Sequence, residues 1–232
     1  MELGKASDPK QISIHFSRAC WNIIKRDLFR MLIHSQKKVK VGGGTNSSFL
    51  VLILKETSPS SFFHFHPISL CNASYFIIDE DSGQQDKGLL PKLIYKNQGG
   101  FVYKRKLTNN IILVQETIHS SKRRKDKGMV IKIDMSNDFD RIRHAFLFKI
   151  MDNFGFSNSF IAMIKACITS PLISPLVNGR PTNFFQASRG LRQGCPLSPL
   201  LYIIMVEVVS MNLEVERTQG GVPGINIATM LK

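Results

Sequence analysis

The chain has 232 residues, 43% hydrophobic and 21% charged, with 31 Lys and Arg against 17 Asp and Glu and a formal charge of +14. Such a length holds one large domain or two small ones and enough apolar material for a core, which excludes a disordered tail. The excess positive charge predicts an anionic partner, nucleic acid ahead of a membrane surface, because no amphipathic basic helix stands out.

Behind Met1, the residues Glu2 and Lys5 precede no apolar stretch with a small-residue cleavage site, so no secretory signal is expected. Over 16–33 the apolar positions Phe16, Ala19, Cys20, Ile23, Ile24, Leu28, Met31 and Leu32 recur three and four apart, which predicts an amphipathic helix. Its Trp21 is assigned to core or interface. A basic cluster of Lys37, Lys38 and Lys40 follows, then the breaker VGGGTNSS, which lacks the G-x-x-x-x-G-K-[ST] pattern of a phosphate loop. FLVLILK predicts a short buried strand. The stretch 76–88, with Asp79, Glu80, Asp81 and Asp86, is polar and predicts a loop.

A second basic cluster, Lys104 to Lys106, precedes a helix predicted over 108–119, capped by Thr108 or Asn109 and ending in the basic loop KRRKDK. MVIKIDM at 129–135 predicts a strand, followed by a helix over 143–167 broken near Gly155. The runs 173–177 and 183–187 flank Asn178-Gly179, the strongest short hairpin signal a sequence offers. After RGLRQGCPLSP an apolar helix is predicted over 197–213, with Pro196 or Pro199 in its first turn. The longest uninterrupted apolar runs, 49–54 and 200–206, are far shorter than the roughly 20 residues of a bilayer-spanning helix, and no membrane span is expected. The alternation of strands and helices is irregular and no repeat is present, which predicts an α+β fold. The cysteines Cys20, Cys71, Cys167 and Cys195 have no C-x-x-C spacing; packing residues of a reduced intracellular protein are expected, in cytoplasm or nucleus.

Two constellations carry chemistry. In KIDMSNDFDR, Asp134 directly follows the predicted strand and precedes Asp138, Asp140 and Arg141. A carboxylate at the end of a strand projects from a rigid element and suits Mg²⁺, a hard ion that takes oxygen ligands. The competing reading is that these acids favour the start of a helix near Asp140. In RGLRQGCPLSP, Gly190 and Gly194 allow close approach of a ligand, and Arg189 and Arg192 can meet phosphate; an arginine-rich turn into a helix is the bland alternative. Lys122, Arg123 and Arg124 are likewise either phosphate contacts or a solvated face.

KIDMSNDFDR, the VNG hairpin and RGLRQGCPLSP together resemble motifs A and B of reverse transcriptases, in the form used by plant non-LTR (LINE-type) retrotransposons. The resemblance extends through HPISLCNASY, LLPKLIYKNQGGF, NNIILVQETIHSSK and CWNIIKRDL, from about residue 14 to 225. It implies the fingers and part of the palm of a right-hand polymerase: an N-terminal helical segment at 1–45, fingers at 46–128, and a partial palm at 129–232 with a fingers hairpin at about 171–188. It implies an RNA-directed DNA polymerase that takes an RNA template, a DNA primer, dNTPs and Mg²⁺. Asp134 would be the first catalytic carboxylate and metal ligand. Phe139 occupies the place of the steric gate against a ribose 2′-OH, or else is a core aromatic. Gln193 and Gly194 would lie along the nascent base pair, and Lys55 would meet the triphosphate.

Departures accompany the matches. His66 stands where the family has an arginine before Pro67, Leu54 replaces the proline of an LIPK motif, and Asp138 replaces the small residue before the gate. A-S-D-P-K stands for P-G-P-D-G, and FIIDEDSGQQDKG breaks the pattern after SLCN. Beyond Asp152 the only acids are Glu207, Glu214 and Glu216, with no adjacent pair to match the family's aromatic-Ala-Asp-Asp hairpin. The expectation is therefore a truncated copy, inactive in this form; the alternative is a non-catalytic basic nucleic-acid-binding remnant or a relic without selected function.

Overall fold

A computed structural model describes residues 19–72, 75, 90–102, 104–125, 127–132, 135 and 137–221. The predicted loop at 76–88 and the acid Asp134 lie outside the described residues. The first helix, α1, spans Trp21–Lys38, ending five residues beyond the predicted 16–33; its last turn holds Lys37 and Lys38, where cations meet the negative end of the helix dipole. Strand β1, Ser47–Leu54, starts buried and finishes exposed, so FLVLILK is not the fully buried strand its composition suggested. A single 3₁₀ turn, Phe62–His64, turns the chain into β2, Phe65–Cys71, which pairs antiparallel with β1 from Ser48↔Cys71 to Leu54↔Phe65.

The short α2, Leu90–Leu93, precedes α3, Leu107–Arg124. The basic run begins not in a loop but inside α3: Lys122, Arg123 and Arg124 form its last turn, and Lys125 ends it in the left-handed region at φ 58°. Its N-cap is Lys106, without a side-chain bond, rather than Thr108 or Asn109. The strand predicted at 129–135 is absent among its described residues. Met129, Val130 and Ile131 are exposed and pair with no strand among the described residues. Alternating β-branched residues give a propensity, but a strand exists only where a partner satisfies its N–H and C=O groups.

Helices α4, Asp138–Arg141, α5, His144–Asn153, and α6, Asn158–Thr169, follow. The break between α5 and α6 falls at Gly155 as the sequence suggests, with φ +80°. Ser157 caps α6 by accepting from the Phe160 amide. Strand β3, Leu172–Val177, turns through Asn178 (φ 51°) and Gly179 (φ 74°) into β4, Arg180–Pro181, the two positive φ angles that a type I′ turn demands. The return arm is split, resuming as β5, Phe185–Gln186, which pairs with the start of β3. Helix α7, Leu197–Thr218, completes the described elements and runs five residues beyond the predicted 213.

The sheet has the order β2-β1-β3-β4, with β5 also against β3. The β1–β3 pairing is parallel and ends at Leu50↔Pro175, where proline has no N–H to extend the ladder. This mixed sheet with its helices is the α+β fold, consistent with the fingers and palm of a polymerase. Two compact units divide the chain: 1–85 with 137–202, and 86–136 with 203–232. In the first, Leu147, Met151, Ile164, Cys167, Leu197 and Leu201 are buried; in the second, Ile94, Val102, Ile203 and Ile204. Helix α7 is long and apolar enough to cross a bilayer by length and composition alone, a test that the core helix of a soluble protein also passes.

The expectation that all four cysteines serve as packing residues fails for one pair. Cys71, at the end of β2, is disulfide-bonded to Cys195, 124 residues further on, and Cys20 and Cys167 form no disulfide.

Candidate active site

The segment 137–141 and the loop 189–195 are far apart in sequence and joined in space by backbone. The Leu191 N–H donates to the Phe139 carbonyl at 2.9 Å and the Gly190 N–H to Ile142 at 2.8 Å. His144 donates from Nε2 to the Gly190 carbonyl at 2.7 Å, which places the ring proton on that nitrogen. Gly190 has φ +89°, and a Cβ there would meet the Asp140 Cα and carbonyl at 3.2 Å. Only glycine lets the two segments approach this closely.

The same loop then runs beside β2. Ser69 donates its N–H to the Gln193 carbonyl at 2.8 Å, which covers part of an edge strand that would otherwise be unpaired. Gly194 has φ +99°, with the Ser69 carbonyl 3.1 Å from where a Cβ would stand. The Cys71–Cys195 disulfide ties the next residue to the end of β2.

Between these elements lies a cavity of about 260 Å³ lined by Pro67, Ser69, Asp140, Arg189, Gln193 and Ile173 among others. Gln193 and Arg189 from the second constellation thus share a cavity with Asp140 from the first. The Asp140 carboxyl is held above the usual carboxylate range, first by burial and then by the neighbouring Asp138, while His66 and Lys55 act in the opposite direction. Asp138 itself turns back to accept from the Phe139 N–H at 2.9 Å. Both acids stand in the first turn of α4, as the helix-start reading has it, and Asp140 also lines the cavity.

Other candidates are placed differently. Phe139 stacks on Tyr202, ring centroids 4.9 Å apart and planes 12° from parallel. Lys55 and His66 are exposed near the connecting end of the β1–β2 pair and are not among the lining residues, although their charge reaches Asp140. Lys55 donates to the Phe63 carbonyl at 3.4 Å. Arg189 is exposed. Arg192 points inward: Nη2 donates to the Asn46 side-chain oxygen at 2.7 Å, and the guanidinium lies 4.1 Å over the Tyr75 ring.

In the second unit, Lys122, Arg123 and Arg124 are exposed at the end of α3. Arg105, part of the second basic cluster, is instead bound to the carbonyls of Pro91, Ile94, Tyr95 and Gln98, where it organises the chain after α2. No group of three or more His, Cys, Asp and Glu able to hold a metal ion is present among the described residues. Those residues do not by themselves make an ion site.

Asn46, Ser69, Tyr75, Asp140 and His144 are the residues that sequence reasoning did not single out for the site. Asn46 was hidden in a glycine-rich breaker, and His144 in the first turn of a predicted helix. Asp140 carried a signal as an acid within the motif that contains Asp134, and Ser69 and Tyr75 lie in the quoted stretch HPISLCNASY.

Comparison with known proteins agrees with this geometry. Residues 55–226 match the family described as "Reverse transcriptase (RNA-dependent DNA polymerase)". The chain is 26% identical over 196 residues, 84% of its length, to the transposon TX1 uncharacterized 149 kDa protein of Xenopus laevis, of which it spans 15%. It is 30% identical over 125 residues, 52% of its length, to the retrovirus-related Pol polyprotein from type-1 retrotransposable element R2 of Popillia japonica, of which it spans 20%. A shorter match, 45% identical over 53 residues and 23% of the chain, covers 43% of the uncharacterized mitochondrial protein AtMg01250 of Arabidopsis thaliana. The joined segments around the cavity fall within the matched span, and the chain belongs to the reverse transcriptase family.

Proposed function

We propose that the chain is the fingers and partial palm of an RNA-directed DNA polymerase from a LINE-type, non-LTR retroelement of the plant form. The observation that carries this reading is the junction of 137–141 with 189–195 around one cavity, formed by the two stretches that resemble motifs A and B. The names of the TX1 and R2 relatives support a non-LTR element. In this reading 1–45 is an N-terminal helical segment, 46–128 the fingers and 129–232 the palm part. An incoming dNTP would occupy the cavity, with Gln193 and Gly194 along the base pair and Phe139 against the sugar. Lys55 and His66 would meet the triphosphate, and His66, as a weaker cation than the family's arginine, would hold it less firmly. Arg189 and the α3 terminus, with Lys122, Arg123 and Arg124, would follow the template and primer phosphates.

Asp134 would be the Mg²⁺ ligand, and the ion would supply charge neutralisation at the reacting phosphate. The second pair of carboxylates has no counterpart among the remaining acids. Glu207 accepts from the Tyr95 N–H, and Glu214 is paired with Arg217. We therefore expect these 232 residues to bind primer–template without extending it. The second reading, a non-catalytic nucleic-acid-binding remnant, is favoured by the exposed basic end of α3.

The test is primer extension on an RNA template with dNTPs and Mg²⁺, on this chain and on Asp134→Ala. Incorporation lost in the variant would overturn the inactivity and establish the polymerase. Absence of incorporation, with salt-sensitive primer–template binding, is the expected result; absence of binding as well would remove the functional reading altogether.

A further inference from the structure

Arg192 lines the cavity beside Gln193, yet its guanidinium is taken up by protein groups. Nη2 donates to Asn46 Oδ1 at 2.7 Å and to the Cys167 carbonyl at 3.4 Å, and Nη1 to the Asn46 carbonyl at 3.4 Å. The guanidinium also lies 4.1 Å over the ring of Tyr75, which is 1% exposed. Asn46 is fully buried, and its Nδ2 donates to Ser170 Oγ at 2.8 Å and to the Cys167 carbonyl at 3.2 Å. Tyr75 closes the group by donating to the same carbonyl at 3.4 Å. One buried polar knot thus joins the entrance of β1, the end of α6, Tyr75 and the loop.

Gln193, the next residue, lines the cavity and accepts from Ser69, and Gly194 sits against the Ser69 carbonyl. We propose that Arg192 is a positioning residue: held by Asn46 and Tyr75, it fixes the Gln193-Gly194 turn against β2 and so sets the wall of the nucleotide cavity, rather than meeting nucleic-acid phosphate. This rests on the cavity being the nucleotide site. A planar fork suits the task because it meets the Asn46 side chain and carbonyl together while lying flat on an aromatic ring. A lysine keeps the charge and loses both geometries. The buried setting makes the anchor stiff, since a buried amide left without its partner costs more than the bond itself contributed.

The experiment is amide hydrogen exchange on the whole chain for wild type, Arg192→Ala, Arg192→Lys, Asn46→Ala and the Arg192→Ala/Asn46→Ala double variant, together with filter binding of radiolabelled dNTP in the presence of primer–template. Expected is a loss of protection on the order of tenfold at the Ser69 and Leu191 amides, equal in both Arg192 variants and in Asn46→Ala, and no further loss in the double variant. The amides of α6 should keep their protection. dNTP binding should weaken while primer–template binding stays at the wild-type level. Full protection at Ser69 in Arg192→Lys would show that charge alone suffices and overturn the proposal. Equal loss across α6 and β3 would also overturn it, by revealing a general stabilising role. If the wild-type chain binds no dNTP, the reading of the cavity fails, and the exchange pattern still decides whether Arg192 anchors the turn.

Discussion

At the scale of single residues, close approach and burial decide what each position tolerates. Gly190 and Gly194 lie at positive φ with backbone atoms 3.1 to 3.2 Å from the place of a Cβ, so both the conformation and the space exclude a side chain. Glu207 illustrates the cost of burial. It is 2% exposed; Oε1 accepts from the Tyr95 N–H at 3.0 Å, while Oε2 has no partner among the described residues. Burial first of all raises its carboxyl above the ordinary 4.5, against the Tyr95 bond and the charge of Arg105. A raised acid favours the folded chain in its protonated form; that contribution is complete below the unfolded value and disappears as pH rises through the folded one. Glu207→Gln keeps the acceptor and removes the buried charge. It should therefore raise the thermal midpoint at pH 7, by the equivalent of about 1 kcal/mol, with the advantage shrinking as pH falls through the raised folded value and gone below 4.5. Thermal scans of both proteins across that range check it, and a variant less stable than wild type at pH 7 would contradict it.

At the scale of elements, the ends of helices carry the chemistry. The basic run was legible as charge but not as structure: Lys122, Arg123 and Arg124 continue α3 because cations stabilise a helix C-terminus, and the helix stops only where Lys125 turns left-handed. Lys122 and Arg123 are thereby exposed side by side on a rigid end. If they meet phosphates, Lys122→Ala/Arg123→Ala should weaken binding to single- and double-stranded nucleic acid alike. It should also reduce the slope of log K against log salt by about 2, roughly one for each phosphate that is no longer neutralised. An unchanged slope in a fluorescence anisotropy titration would place the binding surface elsewhere. The turn of the NG hairpin was legible, because two adjacent residues impose it, whereas its return arm, predicted at 183–187, is split into Arg180–Pro181 and Phe185–Gln186. The strand predicted at 129–135 does not appear among its described residues, because alternation supplies a propensity and only a partner supplies the ladder.

At the scale of the whole molecule, residues distant in sequence are held together by bonds that no local pattern announces. The Cys71–Cys195 disulfide closes a separation of 124 residues. By chain entropy a closure of that length is worth about 4–5 kcal/mol. Thiol titration in denaturant without reductant should find two reactive cysteines, Cys20 and Cys167, and four after reduction, with a lower unfolding midpoint for the reduced chain. Four reactive thiols at the outset would show the pair to be reduced. The sequence by itself determined the α+β class, the break at Gly155, the hairpin turn and the family, since each rests on composition, on a turn residue or on a contiguous motif. Tertiary structure alone decided that Arg192 turns inward to Asn46, 146 residues away, that Asp140 rather than Asp138 faces the cavity, and that two cysteines bond. These are choices of partner, and the energy of a buried polar or charged group depends on which partner the fold brings to it rather than on its neighbours along the chain.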